Sequence, residues 1–118
     1  MEIFGLLDIS PVVQSYKIID YKAWSTGSYI KMTIMISNGS VLHVREYNDE
    51  RERHYSFHWQ DPQSVLLMRW DNAPHHSHLS TFPHHKHHYQ SVEESTDISL
   101  EEVLQHIEAR LHSGGAPS

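Results

Sequence analysis

The chain contains no cysteine. Disulfide frameworks, thiolate nucleophiles, cysteine-ligated zinc and iron–sulfur clusters are all excluded, because each needs sulfur that the sequence lacks. No apolar run approaches the length of about eighteen residues that a bilayer-spanning helix requires. The first eight residues carry no Lys or Arg, and Glu2 stands where a secretory leader would be basic. A soluble, cytoplasmic protein with no membrane partner is expected. The 118 residues leave no room for a second core of useful size, so one domain is expected over residues 1–113, with Gly114 to Ser118 as a disordered tail.

Positive charge is scarce too: nine Lys and Arg stand against fifteen Asp and Glu, for a net charge of −6 with His neutral. The deficit is local. Residues 93–118 hold six acids against Arg110 alone, a balance of −5, whereas the first 92 hold nine acids against eight bases, or −1. Histidine, by contrast, is abundant. Seven of the twelve fall between His75 and His88, and with an unperturbed pKa of about 6.5 such a cluster is partly cationic at neutral pH.

Patterning defines the fold class. Glu2 to Leu7 can form a short N-terminal helix ahead of Pro11. Tyr16 to Trp24 is rich in Ile, Tyr and Trp, and Tyr29 to Ser37 places Ile30, Met32, Ile34 and Ile36 on alternate positions, which is strand grammar. Asn38-Gly39 tolerates the two positive φ angles of a type I′ hairpin, with Val41 to Tyr47 as the returning strand. His54 to Gln60 puts Tyr55, Phe57 and Trp59 on one side and His54, Ser56, His58 and Gln60 on the other. A turn at Asp61-Pro62-Gln63-Ser64 leads to a fifth strand, Val65 to Trp70, and a tight turn sets Phe57 opposite Met68 and Ser56 opposite Arg69. Ser99 and Glu102 form a capping box ahead of Leu100, Val103, Leu104, Ile107 and Leu111, which recur at helical spacing. The expectation is an α+β domain: a five-stranded antiparallel meander packed against a C-terminal amphipathic helix, with a His-rich loop between the last strand and that helix. Trp24, Trp59 and Trp70 belong with the core rather than with base-stacking platforms.

In the His-rich stretch the unit Pro-His-His-x-His occurs twice, at Pro74 to His78 and at Pro83 to His87. Two chemistries suit it. Cleaving an RNA phosphodiester without metal needs a base for the 2′-hydroxyl proton, an acid for the leaving 5′-oxygen and cations beside the phosphate. His75, His76, His84, His85 and His87 are the candidate acids and bases, and Arg45, Arg69 and Lys86 the candidate phosphate-binding residues. Alternatively, extended backbone brings His76 and His78 to one side and His85 and His87 to one side, and four imidazoles would bind zinc or nickel. The structural alternative is a solvated, pH-responsive cap whose imidazoles hydrogen-bond to backbone. Arg45-Glu46 and Arg69-Asp71 read equally as strand-face ion pairs, and Glu93 to Glu102 as a linker and the solvated side of the helix.

The segments Val44-Arg45-Glu46-Tyr47, His58-Trp59-Gln60-Asp61, Arg69 to His76, Thr81 to His87 and Leu100-Glu101-Glu102-Val103-Leu104 together resemble the TumE-like toxins of bacterial and archaeal type II toxin–antitoxin pairs, over roughly residues 16–108. His88-Tyr89-Gln90-Ser91 departs from that resemblance, which sets His88 apart from the other histidines. The resemblance implies a small cytoplasmic toxin directed at RNA, free or on the ribosome, and held inactive by a cognate antitoxin. A ribonuclease that needs no cofactor is the leading expectation. A zinc- or nickel-binding protein and a non-enzymatic interaction module are the alternatives, and a homo-oligomer is compatible with each.

Overall fold

The computed structural model describes residues 3–73, 79, 81–88 and 91–113. The elements run α1 (Ile3–Ile9), β1 (Val13–Trp24), β2 (Gly27–Ile36), β3 (Val41–Asn48), β4 (Arg53–Gln60), β5 (Leu66–Asp71), β6 (His85–His88), β7 (Ser91–Glu94) and α2 (Leu100–His112). The strands form one antiparallel meander in sequence order. The α+β class, the meander and the C-terminal helix are as expected, but the sheet has seven strands instead of five.

The two added strands come from segments read as loop and linker. His85–His88 has no apolar alternation and little intrinsic strand preference. It is a strand because the edge of β5 offers it backbone partners: Arg69 pairs with His87, Trp70 with Lys86 and Asp71 with His85. On its other side Lys86 stands opposite Glu93 and His85 opposite Glu94, so the acids of β7 meet the basic side chains of β6. His75, His76 and His78 lie outside the described residues, as does the expected tail at 114–118.

One face of the sheet is apolar. Ile30, Met32, Ile34 and Ile36 of β2, Leu42 and Val44 of β3, Tyr55, Phe57 and Trp59 of β4, and Met68 and Trp70 of β5 are buried. The cross-strand register lines them up, with Val44 between Met32 and Phe57 and Trp59 between Leu42 and Met68. Leu100, Val103, Leu104 and Ile107 of α2 and Leu6 and Leu7 of α1 complete this core; Trp59 and Trp70 belong to it as expected, whereas Trp24, at the end of β1, is 41 % exposed. Trp59 donates its buried indole N–H to Ser40 Oγ at 2.9 Å, so the polar edge of the ring is satisfied. The capping box forms as read: Ser99 Oγ accepts from Glu102 N–H, and the Glu102 carboxylate accepts from Ser99 N–H.

Two details of the strand connections differ. Among the described residues the β2–β3 turn has positive φ at Gly39 alone (91°), with Gly39 N–H donating to the Ile36 carbonyl. That is not the type I′ geometry, which needs positive φ at both central residues. In the β4–β5 pair, Phe57 stands opposite Trp70 and Ser56 opposite Asp71, two residues beyond the expected register. Asp61 Oδ1 accepts from Gln63 and Val65 N–H and Ser64 adopts φ 67°, so the connection is wider than a tight turn. Because side chains alternate with period two, a shift of two leaves every residue on its expected face.

Candidate functional site

The other face of the sheet carries no helix residue from the core just described, and it is polar. Alternation puts His43 and Arg45 of β3 opposite in sense to Leu42 and Val44, and Ser56 and His58 of β4 opposite to Phe57 and Trp59. Register then joins them into two rows. One runs Thr33, His43, His58, Arg69, His87 across β2 to β6; the neighbouring row runs Lys31, Arg45, Ser56, Asp71, His85.

A cleft of about 400 Å³ opens on this face, lined by the side chains of Lys31, Thr33, His43, Arg45, Ser56, His58, Gln60 and Arg69. A larger cavity of about 580 Å³ lies at the other side, between α1, the start of α2 and β1 to β3. Its lining has acids, aromatics and aliphatics but no His, Lys or Arg, so of these two the smaller cleft is the one that gathers imidazoles and cations.

In the cleft the His43 and His58 rings lie with centroids 6.1 Å apart. His43 Nδ1 is 3.3 Å from Thr33 Oγ1. Arg69 Nη1 donates to His58 Nδ1 at 3.3 Å. Burial, then the electrostatic influence of Arg69 and of the neighbouring His43, hold His58 below its ordinary value of 6.5, so it favours the neutral form. Lys31 and Arg45 face each other directly across β2 and β3. Like charges in that position cost stability unless an anion neutralises them, and among the described residues no carboxylate forms an ion pair with either.

Beyond Arg69 the same face continues into a buried polar cluster. Asp71 is 5 % exposed and His85 2 %. The Asp71 carboxylate lies 2.7 Å from His85 Nε2 and 3.7 Å from His87 Nε2, and accepts from Arg69 Nε at 3.0 Å and from Ala73 N–H at 3.0 Å.

The residues expected to act together are divided by the sheet. Arg45, Arg69, His85 and His87 share the polar face. Lys86 does not, because it pairs with the core residue Trp70 and therefore points toward α2. His84 is also on the helix side. Its Nδ1 lies 2.9 Å from the Tyr55 hydroxyl and 3.9 Å from Asp97, and its ring stacks on Tyr55. Burial, with the Asp97 charge, pushes the Tyr55 hydroxyl up to about 12. Arg53 lies over that ring at 4.2 Å while pairing with Glu46 and Asp97, which makes this corner a structural clasp between β4 and the approach to α2. His84 and Lys86 thus lie across the sheet from Arg45, Arg69, His85 and His87. Of the four imidazoles expected to meet at a metal, His85 and His87 lie together, with ring centroids 5.0 Å apart.

His43, His58, Lys31 and Asp71 were not among the expected site residues. The signal for the first three is present in the sequence, since the β2–β3 hairpin alone sets Lys31 against Arg45, and the alternation of β4 puts His58 on the polar side. Asp71 was legible only as the ion-pair partner of Arg69, because its histidine partners come from β6.

The TumE toxin family matches residues 3–111, nearly the whole chain. The chain belongs to the TumE toxin family. No curated protein and no solved structure matches it. Family membership places it on the toxin side of a toxin–antitoxin system and implies an antitoxin partner. Among the described residues no helix is long and apolar enough to cross a membrane.

Proposed function

We propose that this TumE-family toxin cleaves RNA, and that its active site is the cleft on the open sheet face and not the His-rich stretch as a whole. The observation that carries the proposal is the lining: two imidazoles beside Lys31, Arg45 and Arg69, with no carboxylate, in a chain of net charge −6. A phosphate group is the anion that fits. Binding RNA through a few local cations, instead of through a broad basic surface, also agrees with the overall acidity.

In the chemistry proposed, a phosphodiester rests against Arg69, Arg45 and Lys31. Phosphate oxygens accept from the Arg69 guanidinium, which releases His58 Nδ1. His58, neutral because of burial and its cationic neighbours, takes the 2′-hydroxyl proton. The 2′-oxygen attacks phosphorus, the bond to the 5′-oxygen breaks, and His43 supplies the leaving oxygen with a proton. A 2′,3′-cyclic phosphate and a free 5′-hydroxyl result. Because His58 titrates below 6.5, the acidic limb of the rate profile falls below that pH.

The test is tag-free protein incubated with total RNA, with and without EDTA, followed by analysis of fragment ends. Cleavage that survives EDTA, leaves cyclic phosphates and is lost in His58→Ala and Arg69→Ala supports the proposal. Cleavage that requires metal, or that persists in His58→Ala, refutes it. The absence of any cleavage would favour a toxin that acts by binding.

A further inference from the structure

We infer that Asp71, His85 and His87 form a binding site for one divalent transition-metal ion of the zinc class. This site adjoins the His43–His58 cleft through Arg69 but uses neither of those histidines, and it does not depend on the RNA-cleavage proposal.

The ligand set is assembled by strand geometry. His85 and His87 lie two residues apart on β6, so both imidazoles project from one face, and Asp71 is the direct cross-strand partner of His85. One ligand atom from each of the three falls within a set whose members all lie within 4.8 Å of one another. Ligands around a tetrahedral zinc, at bonds of about 2.0–2.1 Å, stand roughly 3.3 Å apart. His85 Nε2 lies 2.7 Å from Asp71 Oδ1 and His87 Nε2 lies 3.7 Å from Asp71 Oδ2, so each imidazole faces its own carboxylate oxygen at a distance close to that value.

The supporting hydrogen bonds also suit a metal. His85 Nδ1 lies 2.9 Å from the Pro83 carbonyl. A carbonyl only accepts, so Nδ1 carries a hydrogen, and Nε2 is the ring nitrogen turned toward Asp71, as in a histidine that ligates through Nε2. An imidazole nitrogen and a carboxylate oxygen thus converge in a site where Asp71 and His85 are almost fully buried. Arg69 Nε and Ala73 N–H fix the carboxylate from behind, as outer donors do for ligating carboxylates. Two nitrogens and one oxygen with no sulfur match zinc, nickel or cobalt better than calcium or magnesium, which take oxygen.

The experiment uses the full chain, without a histidine tag, stripped with chelator and titrated with zinc by calorimetry, with elemental analysis after dialysis. One ion per chain should bind. His87→Gln, at a partly exposed position, and Asp71→Asn should each weaken binding at least about tenfold, the lower end of what even outer-sphere substitutions cost. The combined His75→Ala, His76→Ala, His78→Ala variant should keep the site. Circular dichroism separates lost binding from lost folding for the buried Asp71, and His87→Gln decides the matter if Asp71→Asn unfolds. Zinc uptake well below one ion per chain, uptake unchanged in folded His87→Gln, or uptake abolished in the triple variant overturns the inference. Each of these readings stands whether or not the protein cleaves RNA.

Discussion

His58 and His106 are both held below the ordinary imidazole pKa, and in both burial is the main cause. Their surroundings differ completely. His106 lies on α2 in T-shaped contact with Trp59 and Trp70, with ring centroids at 6.3 and 5.2 Å, so a neutral imidazole there completes the apolar side of the sheet. His58 projects from the opposite side of β4 into an open cleft with Arg69 and His43 around it. The same residue type, kept neutral by similar means, packs on one face and is available for proton transfer on the other. What separates them is which side of a strand the chain's alternation assigns, not the local richness in histidine.

Substitutions on the two faces should therefore have opposite signatures. The largest effect is expected for His58→Ala, which removes the proposed base: RNA cleavage should fall by about 10²–10⁴-fold, the usual contribution of a positioned acid or base, with little change in melting temperature. Unfolding of this variant would show that the open face is structural and would break the comparison. Next comes Ile107→Ala on the covered face. Ile107 is fully buried under the sheet, and its truncation should cost about 2–5 kcal/mol in denaturant unfolding, with cleavage per folded molecule unchanged.

The covered face was legible in the sequence because its signals are local. Ile30, Met32, Ile34 and Ile36 alternate within one strand, Tyr55, Phe57 and Trp59 within another, and Ser99 with Glu102 marks the helix start within four residues. The open face was only half legible. Its residues follow by complement once the core is assigned, but which of them meet depends on register, and the β4–β5 connection moved that register by two. β6 was hidden altogether, since a His-Lys-His-His strand has no hydrophobic period and forms only because β5 and Glu93 and Glu94 flank it. Without β6 as a strand, nothing could tell that His85 and His87 join Asp71 while His84 and Lys86 turn to the helix side.

A smaller expected effect sharpens how the covered face is held. Ser99→Ala removes the hydroxyl that accepts from Glu102 N–H, and should cost about 1 kcal/mol of stability, the usual value of a helix N-cap. Cleavage should again be unaffected, because the cap lies on the side of the sheet away from His43 and His58.

The smallest effect is one of pH. The folded-state pKa values of His58 and His106 both lie below the 6.5 of the unfolded chain. As pH falls through 6.5 the unfolded chain takes up protons that the native protein refuses, so stability that is complete above 6.5 declines until the folded-state pKa values are passed and then levels off. For His106 the causes after burial are the charge of Arg110 and the influence of Lys86 and His88, so protonation would put a further cation beside Arg110 and Lys86, against two tryptophan rings. His106→Gln should reduce the slope of melting temperature against pH in that window, by roughly half if the two sites share it equally, and should leave the pH dependence of cleavage where it was. His58→Gln should remove the remaining share of the slope and abolish cleavage with it. Melting curves between pH 7.5 and 5 for the two variants thus read the two faces independently; equal loss of cleavage in both would mean that the covered histidine also serves the cleft.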